Sequence, residues 1–159
     1  MKKILLLAIG FLMTMTASAQ FEQGKYYCNG SLTGINLSYS GAEKLSLGVE
    51  AKGGYLVADN WMALVMAGYS HDEDVDDKFA VGVGGRYYII QSGLYMGLNA
   101  RLVHGGSGYN DIMPGLELGY AFFLGKSVTI EPSVYYDQSI KNHSDYSKVG
   151  LRIGVGVYL

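Results

Sequence analysis

Apolar residues recur at every second position through stretches of about ten residues, and the pattern repeats along nearly the whole chain. The clearest run is Leu45, Leu47, Val49, Ala51, Gly53, Tyr55 and Val57, with Ser46, Gly48, Glu50, Lys52 and Gly54 between them. Successive side chains of a strand point to opposite faces, so each run predicts a β-strand with one apolar face. Further runs are carried by Ile35–Tyr39, Trp61–Tyr69, Phe79–Ile89, Leu94–Leu102, Leu116–Phe122, Val128–Tyr136 and Val149–Leu159. Eight strands are predicted, separated by clusters of Gly, Asn, Asp and Ser. Composition agrees with an all-β chain: 23 Gly and 14 Tyr in 159 residues disfavour helices. Glycine without a triplet period, beside only 2 Pro, excludes collagen-like and disordered chains, and a single Cys excludes an intramolecular disulfide framework. A net charge of -2 gives no reason to expect nucleic acid as a partner.

Residues 1–19 read as a secretory signal peptide: Lys2 and Lys3, an apolar stretch from Ile4 to Met13, then Ala17, Ser18 and Ala19 before the expected cleavage. The apolar stretch is well short of the ~20 residues of a spanning helix, and no later window reaches that length. Residues 20–159 are therefore the barrel domain. Its connections alternate in character: tight turns at 57–60, 91–93 and 124–127, and mostly longer, more polar loops at 41–44, 71–78, 104–111 and 137–147. Short turns at one end and long loops at the other is the plan of an antiparallel up-and-down transmembrane β-barrel, with both termini at the turn end.

The sorting of residues says which face points out. Gly48, Gly54, Gly82, Gly84, Gly97, Gly115, Gly119, Gly150, Gly154 and Gly156 fall on the polar register, where a solvent face would carry Lys and Glu. A narrow eight-stranded lumen needs small residues to make room for a few large ones. On the apolar register, Tyr39, Tyr69, Phe79 and Tyr136 fall toward the loop ends, and Tyr55, Trp61, Tyr87, Tyr120 and Phe122 toward the turn ends. Two aromatic girdles around an aliphatic band are what the two lipid interfaces select. The inward register also carries Glu50, Lys52, Arg86, Arg101, Glu117, Glu131 and Arg152, with Asp137 and Lys148 nearer the loop edge. Charges in so narrow a space are tolerable only when paired, so an interior ion-pair network is expected, helped by Asn36, Asn99, Tyr88, Tyr95 and Tyr135. Such a network either plugs the lumen or filters a small polar solute; the plug is the favoured reading.

Gly115-Leu116-Glu117-Leu118-Gly119-Tyr120, Ile130-Glu131-Pro132-Ser133-Val134-Tyr135-Tyr136 and the closing Gly154-Val155-Gly156-Val157-Tyr158-Leu159 resemble the small outer-membrane β-barrel proteins of the OmpX-like and OmpA-transmembrane type. The resemblance covers essentially the whole mature chain. It implies the outer membrane of a Gram-negative bacterium, with outer-membrane lipid, lipopolysaccharide and the barrel-insertion machinery as partners. Such barrels usually end in an aromatic residue, whereas here Tyr158 is penultimate. Pro132 removes a ladder donor and predicts a bulge or a broken pair.

The remaining candidates are weak. Asp72, Asp74 and Asp76 have calcium-loop spacing, but Asp77 stands where that loop needs Gly and Val83 where it needs Glu. Asn142, His143, Ser144 and Asp145, with His104, supply residue types for acyl transfer, yet adjacent His143 and Ser144 would diverge on an extended chain. Cys28 has no partner, and Gly105 to Gly108 lack the Lys-Ser/Thr of a phosphate loop. The sequence thus predicts a monomeric, non-enzymatic barrel without metal or cofactor. Its work would be envelope integrity, adhesion or binding of an extracellular partner through the outer loops, with a narrow porin-like channel as the alternative.

Overall fold

The structure, a computed structural model, describes residues 21–38, 47–72, 75–89, 92–105, 109–140 and 147–159. The expected leader at 1–19 and Tyr39 lie outside the described residues. In chain order the strands are β1 Tyr26–Ser38, β2 Leu47–Ala58, β3 Trp61–Asp72, β4 Val75–Tyr88, β5 Leu94–Gly105, β6 Tyr109–Tyr120, β7 Phe122–Phe123, β8 Val128–Asp137 and β9 Lys148–Tyr158. All pairings are antiparallel; β1 pairs with β9 as well as β2, and β6 pairs with β8 over Gly115–Gly119, which closes the sheet. Both β6 and β7 pair with β8 in one register, Gly119 opposite Ser133 and Phe122 opposite Ile130. They are two parts of one stave, so the closed barrel has eight. The gap between them falls where that register sets Tyr120 against Pro132, whose ring nitrogen has no hydrogen to donate.

Two of the expected long loops are strand over their described residues. Asp72 ends β3 and pairs with Val75 at the start of β4, so 71–72 and 75–78 belong to the ladder. Residues 104–105 and 109–111 likewise continue it, with His104 opposite Asn110 and Gly105 opposite Tyr109. Polar side chains suggested loops there, but backbone pairing needs only donors and acceptors, and beyond the lipid the outer face carries polar residues without cost. The tight turns are as expected; Asn60, between β2 and β3, takes the left-handed conformation (φ 66°) that short hairpin turns demand.

The inner face holds Glu50, Lys52, Arg86, Glu117, Glu131 and Arg152, all nearly inaccessible, while Val65, Val83, Leu98, Leu116, Leu151 and Ile153 are exposed on the outside. An exposed apolar belt around a polar interior is a lipid-facing wall, far beyond the patch a soluble monomer carries. Among the described residues no helix is long and apolar enough to cross a membrane. Two features depart from simple alternation. The register of β1 against β9 shifts between Thr33 and Ile35, so odd positions lie at inward register before the bulge and outward after it. Strand β3 is apolar on both faces, and its inward Met62, Leu64 and Met66 give the lumen an apolar wall beside the charges. The glycines opposite make the room: a Cβ at Gly54 would lie 2.8 Å from both Leu64 Cδ2 and Met62 Sδ.

The start of β1 and the end of β9 meet at the turn end. Tyr26 N donates to Leu159 O (3.0 Å), and Leu159 N donates to Tyr26 O (2.9 Å). Residues 21–25 fold across the same mouth, where Asn60 N donates to Phe21 O (2.9 Å) and Gln23 N to Asp59 Oδ1 (2.9 Å).

Candidate functional site

The lumen brings together all seven charges expected there. Strand alternation explains why: Arg86 and Tyr88 are two apart on β4, Glu131 and Thr129 on β8, Glu50 and Lys52 on β2, so each pair shares the inner face. At the turn end, Arg86 Nη1 donates to Glu131 Oε2 (3.0 Å), Tyr27 Oη (3.1 Å) and Tyr88 Oη (3.2 Å). Its guanidinium stacks 3.8 Å from the centre of the Tyr95 ring, a cation–π contact that water does not weaken here. Glu131 also accepts from the Tyr27 hydroxyl (2.5 Å), Thr129 Oγ1 (2.7 Å), the Tyr158 hydroxyl (3.2 Å) and Asn29 Nδ2 (3.5 Å). A carboxylate with this many donors is satisfied without water, which makes so deep a charge tolerable. Phe21 closes the floor, stacked 3.8 Å from Tyr88 and edge-on to Tyr158 and Phe123.

Glu117 is the hub above. Lys52 Nζ lies 2.9 Å from Glu117 Oε2, while Arg152 Nη1 (3.5 Å) and Arg86 Nη2 (3.6 Å) approach Glu117 Oε1. Lys52 also reaches Glu50 (3.4 Å), which links this level to the loop-end half. There, Arg101 Nη2 is 2.9 Å and Arg152 Nη2 3.5 Å from Glu50 Oε2, and Arg152 lies 4.3 Å above the Tyr135 ring. Asp137, at the loop end of β8 as expected, joins the network, where Arg101 Nη1 meets it at 3.2 Å. With Asp137 included, four carboxylates face four cations, so the excess of positive charge among the seven disappears.

Several contributors were not expected. Tyr27, Tyr158, Thr129 and Asn29 complete the Glu131 site, and Ser139 donates to buried Asp111 nearer the loops. Counting by twos from Arg152 through Gly154 and Gly156 reaches Tyr158, so the signal was present; nothing in the sequence marks Phe21. Of the expected helpers, Tyr88 and Tyr95 bond into the network, whereas Asn99 Oδ1 has no partner. Asn36 takes its place at register opposite Gly150. Of the outer aromatics, Tyr69 pairs with Phe79 at one end, and Trp61–Tyr87, Tyr26–Tyr55 and Tyr120–Phe122 form ring pairs 4.4–5.2 Å apart toward the other. Tyr136 sits opposite Val149 on the outer register. Cys28 faces outward.

Among the described residues no chemistry-bearing constellation rivals the lumen. His104 Nδ1 lies 2.6 Å from Asn110 Oδ1 on the outer wall, while residues 142–145, the other half of the acyl-transfer idea, lie outside the described residues. Among the described residues no group of three or more His, Cys, Asp or Glu could hold a metal.

No protein-family model and no curated protein matches the sequence. Solved structures do match. The crystal structure of Neisserial surface protein A aligns with a TM-score of 0.59 at 18% identity, covering 85% of this chain and 97% of that one. The N-terminal β-barrel domain of Pseudomonas aeruginosa OprF aligns at 0.65 and 13% identity, covering 86% and 98%. The chain has the fold of the small outer-membrane β-barrels. A de novo designed transmembrane β-barrel gives 0.56 at 16% identity, covering 87% and 98%, so the likeness follows the barrel architecture itself and not any shared sequence.

Proposed function

We propose that this barrel resides in the outer membrane of a Gram-negative bacterium as a sealed envelope protein, contributing to envelope integrity and presenting its outer loops for binding or adhesion. One observation carries the seal: Arg86, Tyr27, Tyr88, Tyr95 and Phe21, which come from three strands and the N-terminal segment, are each no more than 1% exposed. An open pore would leave such side chains wet, because a continuous column of water touches every residue that lines it. Lipid and lipopolysaccharide surround the apolar wall, and the barrel-insertion machinery delivers it there; a monomer needs no further partner, since its sheet closes on itself.

The reading is tested by deleting the gene and comparing two permeabilities. A sealed structural barrel predicts greater sensitivity to detergents and large antibiotics, with uptake of small polar solutes unchanged. Loss of small-solute uptake, with the barrier to large compounds intact, would support the narrow channel instead.

A further inference from the structure

The wall of the barrel is not equally knit on all sides. Strand β6 pairs with β5 along its whole length, Tyr109–Tyr120, but with β8 only over Gly115–Gly119. The chain's two prolines bracket that short ladder, Pro114 on β6 at its loop-end side and Pro132 on β8 at its turn-end side. In an antiparallel ladder both backbone groups of a residue face one neighbour, and successive residues alternate. Gln138 N donates to Pro114 O (2.8 Å), so the N–H that Pro114 lacks would face β8. Counting by twos from Gln138 turns the nitrogen of Pro132 toward the β6–β7 stave in the same way. Leu116–Tyr136 and Leu118–Val134 are left as the pairs able to exchange two bonds.

Side chains take over where the backbone ladder stops. Residues 138–140 run on beyond it outside any strand, and there Ser139 Oγ donates to Asp111 Oδ2 across the gap. Arg101 on β5 reaches over β6 to Asp137 on β8 at 3.2 Å. The outer surface is hollow at the same place, with a cavity of about 530 Å³ between Leu102, Ile112 and Ile140. The line where the chain ends meet is better knit. There β1 pairs with β9 from Tyr27–Tyr158 through to Ser38–Lys148, across the bulge, and Tyr26 and Leu159 exchange two bonds at the turn end.

We propose that the barrel parts along β6–β8, from the loop end downward, and that the Ser139–Asp111 and Arg101–Asp137 contacts are the latch that holds this seam shut. The seam joining the two ends of the chain, β1–β9, stays closed as it parts. Deeper in the barrel, Arg152–Glu117 (3.5 Å) and Arg86–Glu131 (3.0 Å) tie the two sides together again and stop the opening from running to the turn end. The movement thus goes beyond the sealed envelope role and leaves it intact.

Amide hydrogen exchange of the folded barrel in lipid vesicles tests this at a single depth, because Tyr136 and Val149 stand opposite each other on β8 and β9. By the same alternation the Tyr136 N–H faces β6 and the Val149 N–H faces β1. Tyr136 should exchange roughly ten times faster than Val149, as an amide in the region that opens first. Ser139→Ala removes one contact of the latch and should speed Tyr136 several-fold further while leaving Val149 unchanged. Pro114→Ala restores a donor toward Gln138 and should slow Tyr136. Equal rates in the wild-type chain, or a faster Val149, would overturn the seam. A Tyr136 rate that Ser139→Ala does not alter would overturn the latch. Equal acceleration of both amides by Ser139→Ala would overturn it too, since the whole wall would then have loosened.

Discussion

The two ends of the lumen use the same charged residue types and reach opposite outcomes. At the turn end, one Arg and one Glu are wrapped by Tyr27, Tyr88, Tyr95 and Tyr158 and floored by Phe21, so that of their polar atoms Arg86 Nε alone lacks a protein partner. At the loop end, Arg101, Arg152, Glu50 and Asp137 pair just as closely, but with glycines and alanine for neighbours they leave several polar atoms without a partner. An ion pair therefore closes this barrel only together with aromatic rings packed around it, as at Arg86–Glu131. Tyrosine suits the role because it fills volume as a ring and still offers a hydroxyl to the charge it encloses.

This contrast is broken most directly at Arg86. Arg86→Ala strands Glu131 in a closed site and should cost roughly 3–5 kcal/mol in urea unfolding from lipid vesicles, whereas Arg101→Ala, at a half-buried position, should cost less than half of that. Equal losses would erase the distinction. The outer wall supplies a control that ignores the halves: Leu98→Arg places a charge in the exposed aliphatic belt and should cost about 2–4 kcal/mol. An unchanged midpoint there would argue against lipid on that face.

Smaller effects follow from packing. A Cβ at Gly84 would lie 2.6 Å from the Leu98 carbonyl oxygen, a backbone atom held in the β4–β5 ladder. Gly84→Ala should therefore lose about 1–3 kcal/mol by the same assay. The smallest change belongs to Asp137→Asn, which keeps the shape and leaves Arg101 its contact with Glu50; no more than about 1 kcal/mol is expected. A larger loss would mean that the loop-end half is as closed as the turn end.

The fold was legible because alternation survives in a sequence whichever face is buried. Leu45 through Val57 states strand, register and side at once, and Pro132 announced its broken pair. Alternation placed Trp61 through Tyr69 outward but did not say that the inward Met62, Leu64 and Met66 would make an apolar wall, and it did not show the bulge after Thr33 that inverts the parity of β1. Chain polarity near 71–78 and 104–111 suggested loops, because outside the lipid a strand no longer has to show an apolar face. The seven lumen charges were legible by parity, but their grouping was not. Which Arg meets which Glu depends on the stagger of strands around the closed barrel, and the docking of Phe21 under Tyr88 depends on where a short tail falls across the mouth.

Planar-bilayer recording of the purified barrel, before and after Arg86→Ala, tests the seal most directly. The wild-type chain should give no stable conductance steps, and the variant should give reproducible ones, because the guanidinium holds together the Arg86–Glu131 level where the lumen is closed. Stable steps from the wild type that are unchanged by Arg86→Ala would contradict a lumen closed at that level.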